Sequence, residues 1–150
     1  MTVWTPKLDN APASPGRHLL SRVFGGAADH EDVYEHIETG FDVDVLEAFL
    51  RLAPDAASEI KAVLKMSDRT LTRRRSEGQL SPAESDRFYR LVDLYARAAD
   101  VLESVEAADE WMTSPAVALN DRTPLEYARN EAGAKRVKAL LTRIEYGVFS

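Results

Sequence analysis

The sequence predicts an all-α fold in which a helix-turn-helix (HTH) domain is joined to a C-terminal helical domain. Apolar residues recur at helical spacing through most of the 150 residues. Two Ser/Thr-Pro-x-Glu sequences have the form of helix-starting capping boxes, and no segment sustains the alternation typical of a strand. We divide the chain into an N-terminal arm with short helices (1–39), an HTH region (40–79) and a C-terminal helical region (80–150).

The first segment has the least regular pattern. Residues 5–16 hold three prolines and predict an irregular arm. Short apolar stretches on both sides of Gly25-Gly26 predict one or two short helices between Arg17 and Thr39. Gly40 interrupts the chain, and the apolar spacing after it predicts an amphipathic helix over Asp42–Leu52. The sequence indicates no role for residues 1–39.

Residues 59–78 follow the order of an HTH motif. Residues 59–64 supply a first helix and Lys65-Met66 a tight connection. Ser67 is a good N-cap for a second helix, which stops at Gly78. The residues expected to lock the two helices together are apolar: Leu64, Met66 and Leu71.

Positive charge is concentrated in this motif. The chain has a net charge of −6, but residues 61–75 contain six basic residues and one acid, so this window carries +5 and the remainder −11. Such segregation is typical of one anion-binding surface on an acidic body. We therefore expect the second helix to enter the major groove of operator DNA, with the protein binding as a homodimer to two half-sites.

The expected DNA-binding residues divide into two groups. Arg69, Thr70 and Arg73 lie on the first turns of the second helix, where side chains reach base edges. The other group is expected to bind phosphates, together with the helix N-terminus at Ser67: Lys65, Arg74 and Arg75. Two residues depart from the usual motif, since Lys65 stands where glycine is common and Lys61 where a small residue is common.

The C-terminal region predicts four helices. Ser81, Pro82 and Glu84 form a capping box that begins a long helix, whose buried stripe extends to Leu102. A second helix is expected over Glu106–Thr113, and a capping box at Thr123 begins a short one that ends near Arg129. The last helix begins near Glu131 and is ended by Gly147. Its expected buried residues are Val137, Leu140, Leu141 and Ile144.

From about Val63 to Phe149 the sequence resembles the Xre/ParS/MbcA group of antitoxins, whose partners are toxins with the RES domain. The segments that carry the resemblance are Ser67–Arg74, Leu80–Arg87, Ala107–Pro115, Leu119, Arg122–Leu125, Glu131–Val137 and Leu140–Val148. They follow one another in family order along a stretch that spans over half of the chain. The resemblance implies an Xre-like HTH domain followed by a C-terminal toxin-binding domain.

The resemblance also implies a function. The partner would be a RES-domain toxin that consumes NAD⁺, either by degrading it or by transferring its ADP-ribose. The antitoxin would cover the toxin's active site with its C-terminal region and repress its own operon. Most matched residues in this region, including Trp111 and the Thr123 cap, are expected to be structural.

The end of the chain is the expected toxin contact. It is apolar and aromatic, where a frayed polar tail is usual. The alternative is that Val148 and Phe149 fold back onto the protein's own core. The residues that we expect to bind the toxin are Arg143, Tyr146, Val148, Phe149 and Ser150.

The sequence predicts no catalytic residues, metal or cofactor. His30 and His36 are six residues apart, which does not place them on one helical face. Gly25-Gly26 lacks the lysine of a phosphate-binding loop. The chain has no cysteine, no apolar run near the roughly 20 residues that span a bilayer and no signal peptide, so we expect it in the cytoplasm.

Two other functions stay open at this point. One is a stand-alone HTH transcriptional regulator without a toxin partner. A neighbouring gene for a RES-domain protein would argue against this alternative. The other is a protein-interaction module whose basic helix docks on an acidic partner. A steep loss of DNA affinity with salt would argue against the second.

Overall fold

The computed structural model describes residues 14–25 and 30–147. Within these ranges the fold is all-α, as predicted, with two isolated β-bridges and no strand. No helix in the described part of the chain is both long and apolar enough to cross a membrane. The helices are α1 (Pro15–Phe24), α2 (His30–Thr39), α3 (Val43–Leu52), α4 (Ala57–Val63), α5 (Asp68–Glu77), α6 (Pro82–Leu102), α7 (Val105–Met112), α8 (Pro124–Tyr127) and α9 (Glu131–Glu145), with 3₁₀ turns at Pro54–Ala56 and Val117–Leu119.

The long helix α6 is the centre of the fold, with α1, α2, α7 and α9 packed against it. It begins at the predicted capping box: the Ser81 hydroxyl accepts a hydrogen bond from the Glu84 backbone N–H at 3.1 Å, and the Glu84 carboxylate accepts one from the Ser81 backbone N–H at 2.8 Å. Its buried stripe is also as predicted, except that Leu102 is only partly buried. The buried members are Phe88, Leu91, Val92, Tyr95, Ala98 and Ala99.

Aromatic side chains join the N-terminal helices to α6. The ring of Phe88 lies 5.6 Å from that of Phe24, 6.2 Å from that of Phe41 and 5.8 Å from that of Phe49. Phe49 also meets the Tyr95 ring edge-on at 5.1 Å. These tilted and edge-on pairs are the arrangements that aromatic rings prefer. They form one core that extends from α1 to α9.

The prediction of an irregular arm over residues 5–16 is wrong for its last two residues, because α1 begins at Pro15. Ser14 caps this helix, and the Asp100 carboxylate of α6 accepts a hydrogen bond from the Gly16 N–H at 2.7 Å. A Cβ on Gly16 would lie 2.2 Å from the Ala96 carbonyl oxygen, so glycine permits the close approach of α1 to α6. Two short helices, α1 and α2, occupy the region where one or two were predicted. Residues 1–13 and 26–29 lie outside the described residues.

The C-terminal helices α7, α8 and α9 have the predicted order, with α8 ending two residues before Arg129. Gly133 lies where α9 meets α8, and a Cβ there would lie 1.7 Å from the Tyr127 carbonyl oxygen. Val137 and Leu141 are fully buried, whereas Leu140 and Ile144 are only partly so. The helix ends at Glu145, and Gly147 follows with a φ of 67°.

Candidate nucleic-acid interface and C-terminal surface

Helices α4 and α5 form the predicted HTH. The connection contains Lys65 in the left-handed region, with a φ of 58°, which explains why glycine is common there. The Met66 N–H donates to the Lys61 carbonyl at 2.9 Å and closes the turn. The three residues predicted to lock the motif are all buried: Leu64, Met66 and Leu71.

Helix α5 is attached to the body by very little apolar surface. Leu71 is its one buried residue, so the remaining side chains are exposed or half-buried. The Ser67 hydroxyl caps the helix: it accepts from the Thr70 N–H at 3.1 Å and donates to the Thr70 hydroxyl at 3.0 Å. Arg69 and Arg73 are exposed on the surface of α5. The structure thus brings the predicted base-reading residues together on one exposed helix.

Arg74 points back toward the protein. Its guanidinium donates to both carboxylate oxygens of Glu84, at 2.7 and 3.1 Å, and to Glu77 at 2.9 Å. The hydrogen bond to Glu84 raises the pKa of Arg74 despite partial burial. Burial opposes ionisation of Glu84, but hydrogen bonds from Arg74 and Ser81 outweigh it and lower the Glu84 pKa. This geometry makes Arg74 an anchor of α5 on α6, whereas the sequence predicted that it binds phosphate.

Three other cations of the motif also have carboxylate partners. The closest pair joins Arg75 Nε to Glu47 Oε1 of α3 at 2.6 Å, and this hydrogen bond raises the pKa of Arg75. The other pairs are Lys61 with Asp68 at 3.1 Å and Arg73 with Glu77 at 3.8 Å. Lys65 and Arg69 have no ion-pair partner within the described residues. The positive charge counted along the sequence is therefore partly neutralised once the chain folds.

The two ends of the HTH are tied to neighbouring segments by backbone hydrogen bonds. The Val43 N–H donates to the Gly78 carbonyl at 3.0 Å, and the Leu80 N–H donates to the Phe41 carbonyl at 2.8 Å. On the other side, Arg87 of α6 donates through Nε to the Leu64 carbonyl at 3.2 Å. These contacts fix the direction in which α5 leaves the body.

A second exposed surface lies at the C-terminal end of α9. Val117 and Tyr146 are large apolar or aromatic side chains that are 88% and 74% exposed. Between the 3₁₀ turn and α9 lies an open groove of about 180 Å³. Its lining residues are Ala118, Leu119, Arg136, Ala139, Leu140 and Arg143.

The structure places two of the five predicted toxin-contact residues on this surface, Arg143 and Tyr146. Val148, Phe149 and Ser150 lie outside the described residues. The sequence analysis did not identify Val117, because a three-residue 3₁₀ turn gives no periodic pattern. Val117 lies in the apolar run Ala116–Leu119, and nothing in the sequence distinguishes its exposed side chain from the buried Leu119.

Ion pairs and packing hold α9 on α6. Arg97 pairs with Glu145, and Lys138 lies 3.5 Å from Asp93. Deeper in this half, the Tyr95 hydroxyl lies 3.3 Å from the Asp109 carboxylate. Burial raises the pKa of Asp109, the hydrogen bond from Tyr95 opposes this rise, and the charge of Asp55 adds to it. Burial also raises the pKa of Tyr95.

No group of three or more His, Cys, Asp or Glu side chains in the described ranges is placed to hold a metal ion. The grooves in the same ranges are open, and several are lined by arginine. Their chemistry therefore favours contact with macromolecules.

Comparison with known proteins matches two successive parts of the chain to two families. Residues 32–93 match the family described as "Antitoxin Xre-like helix-turn-helix domain", and residues 97–147 match "Antitoxin Xre/MbcA/ParS C-terminal toxin-binding domain". The chain is 33% identical over 141 residues to a protein of Yersinia enterocolitica named "Antitoxin Xre", which covers 93% of this chain and 95% of that one. A protein of Photorhabdus laumondii with the same name is 28% identical over 116 residues, 76% of this chain and 78% of that one.

Proposed function

Because the chain belongs to the Xre/MbcA/ParS family of antitoxins, we propose that it represses its own operon through α5 and neutralises a RES-domain toxin through its C-terminal surface. The toxin is proposed to consume NAD⁺, and the antitoxin to cover its active site. The observation that carries the proposal is that one helical body has two exposed surfaces built from different elements, the basic HTH helix α5 and the groove between the 3₁₀ turn and α9. We propose no catalytic role for the chain itself.

The DNA half of the proposal rests on the exposure of α5. Arg69 and Arg73 are positioned to reach base edges, with Thr70 beside them at the start of the helix. Lys65 at the turn and Arg75, whose side chain is 53% exposed, are the proposed phosphate ligands. Two such helices are needed for two half-sites, so the DNA-bound form is proposed to be a homodimer.

The toxin half of the proposal rests on the groove beside α9. Exposed aromatic and aliphatic groups flanked by arginine are typical of the centre of a protein interface. Arg143, which lines the groove, and Tyr146 are the proposed contacts in the described chain, together with the exposed Val117 next to the lining residue Ala118. We extend the proposal to Val148, Phe149 and Ser150, which follow in the sequence.

Co-expression with the product of the neighbouring gene tests the toxin half. The expected result is a stable complex in which NAD⁺ consumption is suppressed. Tyr146→Ala and a chain ending at residue 145 should both weaken the complex, because each removes a proposed contact. Folding should be unaffected, since Tyr146 is 74% exposed. Lys135→Ala is the matched control, since Lys135 is an exposed residue of α9 outside the groove. A folded, truncated chain that inhibits as well as the parent contradicts the proposed surface.

Binding to the DNA upstream of its own gene tests the DNA half. Arg69→Ala or Arg73→Ala should cost about 1–3 kcal/mol of affinity and relax sequence preference, because an arginine–guanine pair contributes this much discrimination. Arg22→Ala, an exposed cation on α1, serves as the control. Equal affinity of the parent protein for its own upstream DNA and a scrambled duplex excludes specific repression through this helix.

A further inference from the structure

A second group of cations lies beside the HTH, on the C-terminal half of the molecule. Two grooves meet there and share Arg129 and Asn130 in their linings. The first, of about 30 Å³, lies where α4 and α6 meet the segment between α8 and α9, and the second, of about 350 Å³, continues along α8 and the start of α9. We call the arginines that line these grooves the arginine band: Arg87, Arg90, Arg122, Arg129 and Arg136.

The arginine band begins at the HTH itself. Arg87 donates through Nε to the carbonyl of Leu64, and the next residue is Lys65, the exposed cation of the turn. A guanidinium has five N–H donors, so this one hydrogen bond leaves Arg87 able to bind an anion. Arg90 follows one turn later on α6 and lines the same groove as Arg129. Arginines therefore line the two grooves from α6, next to the HTH turn, to the α8–α9 junction.

The arginine band is less neutralised than α5. On α5, three of the four arginines have carboxylate partners. In the arginine band, Arg90 pairs with Asp86 at 3.3 Å, and the other four have no ion pair among residues 14–25 and 30–147. Glu126 is the single acidic residue in the lining of either groove. The arginine band therefore carries more unpaired positive charge than α5 does.

We propose that the phosphodiester backbone of the DNA flanking each half-site lies along the arginine band. The C-terminal half would then add affinity and register without reading sequence. The lining favours a polyanion over a protein partner, because it holds five arginines and a single acidic residue, Glu126. This inference rests on the proposed binding of DNA by α5.

The test is the salt dependence of DNA binding by the double variant Arg122→Gln/Arg129→Gln. Both residues are at the protein surface, so folding should be unchanged. Removing one arginine–phosphate interaction should reduce the slope of log affinity against log salt by about 0.9, so the slope of the double variant should fall by about 1.8. Near 0.2 M salt this is roughly a fourfold decrease in affinity for each phosphate that is no longer bound. The decrease should be equal for the chain's own upstream DNA and for a random duplex of the same length.

The control is Arg22→Gln/Lys135→Gln, which removes the same charge from exposed side chains that line neither groove. A shortened duplex that ends at the edge of the α5 footprint should bind the band variant and the parent equally. Equal salt slopes for the band variant and this control overturn the inference but leave the proposed function intact. Weaker binding to the neighbouring gene product with an unchanged slope also overturns it and assigns the surface to the toxin. Failure of the parent to bind its upstream DNA instead contradicts the proposed function.

Discussion

The recognition helix α5 and the C-terminal helix α9 lie on the same body but are held to it by different forces. Helix α5 buries one side chain, Leu71, and its most buried ion pair to the body joins Arg74 to Glu84. Helix α9 buries Gly133, Val137 and Leu141 in the common core. Its ion pairs to α6 are all at least partly exposed and contribute little stability.

This difference explains how each helix can be held in place and still expose side chains to a binding partner. A helix that must enter a DNA groove cannot bury its polar faces, so its position depends on caps and charged contacts at its rear. In α9 the packed and exposed regions follow one another along the helix, with Leu141 buried and Tyr146 exposed. Stability should therefore depend on burial for α9 and on ionisation for α5.

The largest effect is expected from removing apolar burial under α9. Leu141→Ala should lower the free energy of unfolding by about 2–5 kcal/mol, because the side chain is fully buried and its truncation leaves a cavity. Urea denaturation measures the change. Thr142→Ala, the next residue on the exposed face, should change stability by less than about 0.5 kcal/mol. Similar decreases for the two variants would contradict the view that α9 is held by packing.

The second effect concerns the anchor of α5. Glu84→Gln keeps an acceptor for the Ser81 cap but leaves the Arg74 guanidinium without its main counter-charge, and should cost about 1–3 kcal/mol. Glu77→Gln is the matched control: Glu77 is 50% exposed and should cost less than about 0.5 kcal/mol. Affinity for upstream DNA should fall in Glu84→Gln but not in Glu77→Gln. Unchanged DNA affinity in a measurably destabilised Glu84→Gln would show that Arg74 does not position α5.

Acid should affect the anchor of α5 at Glu84 and the half-buried Asp109 of α7 in opposite directions. The folded-state pKa of Glu84 is lowered, so its stabilisation is complete above the unfolded value near 4.5 and is lost as the pH falls through the lower folded value. The folded-state pKa of Asp109 is raised, so its ionised form costs stability at neutral pH, and that cost disappears as the pH falls toward 3.8.

The measurement is the free energy of unfolding against pH for the parent, Glu84→Gln and Asp109→Asn. The difference in free energy of unfolding between the parent and Glu84→Gln should disappear as the pH falls below 4.5. Asp109→Asn should be at least as stable as the parent at neutral pH, and its advantage should shrink in acid. A deficit of Glu84→Gln that persists in strong acid would assign its effect to packing instead of charge.

Local chemistry is what the sequence predicted well. The capping residues Ser67, Ser81 and Thr123 begin helices where expected, because a cap depends on residues within one turn. The HTH turn and its three buried residues were also predicted correctly. Each of these features depends on spacing along the chain alone.

The sequence could not predict in this way which arginines of α5 form ion pairs with carboxylates of the protein. Arg74 meets a carboxylate ten residues away, and Arg75 meets one 28 residues away on another helix. The arginine band likewise joins residues from α6 with residues near α8. Such encounters depend on the angles between helices, which periodicity does not give. A count of charge along the sequence therefore overstated the positive charge of α5 and did not identify the band beside it.

The smallest expected effect is at the HTH turn, where stability and DNA binding should separate. Lys65 has a φ of 58°, a conformation that costs a residue with a Cβ about 1–2 kcal/mol relative to glycine. Glycine is also freer in the unfolded chain, so Lys65→Gly should stabilise the fold by about 0.5–1 kcal/mol.

Lys65→Ala is the matched variant, since it removes the same charge but keeps the Cβ and should not gain this stability. Both variants should bind about one phosphate fewer, seen as a reduction of about 0.9 in the salt slope of DNA binding. The pair should thus differ in thermal unfolding and agree in DNA affinity. If Lys65→Gly is less stable than Lys65→Ala, the strain at this turn does not limit stability. If neither variant changes the salt slope, Lys65 does not bind phosphate, and the phosphates are bound by other residues of the HTH and by the arginine band.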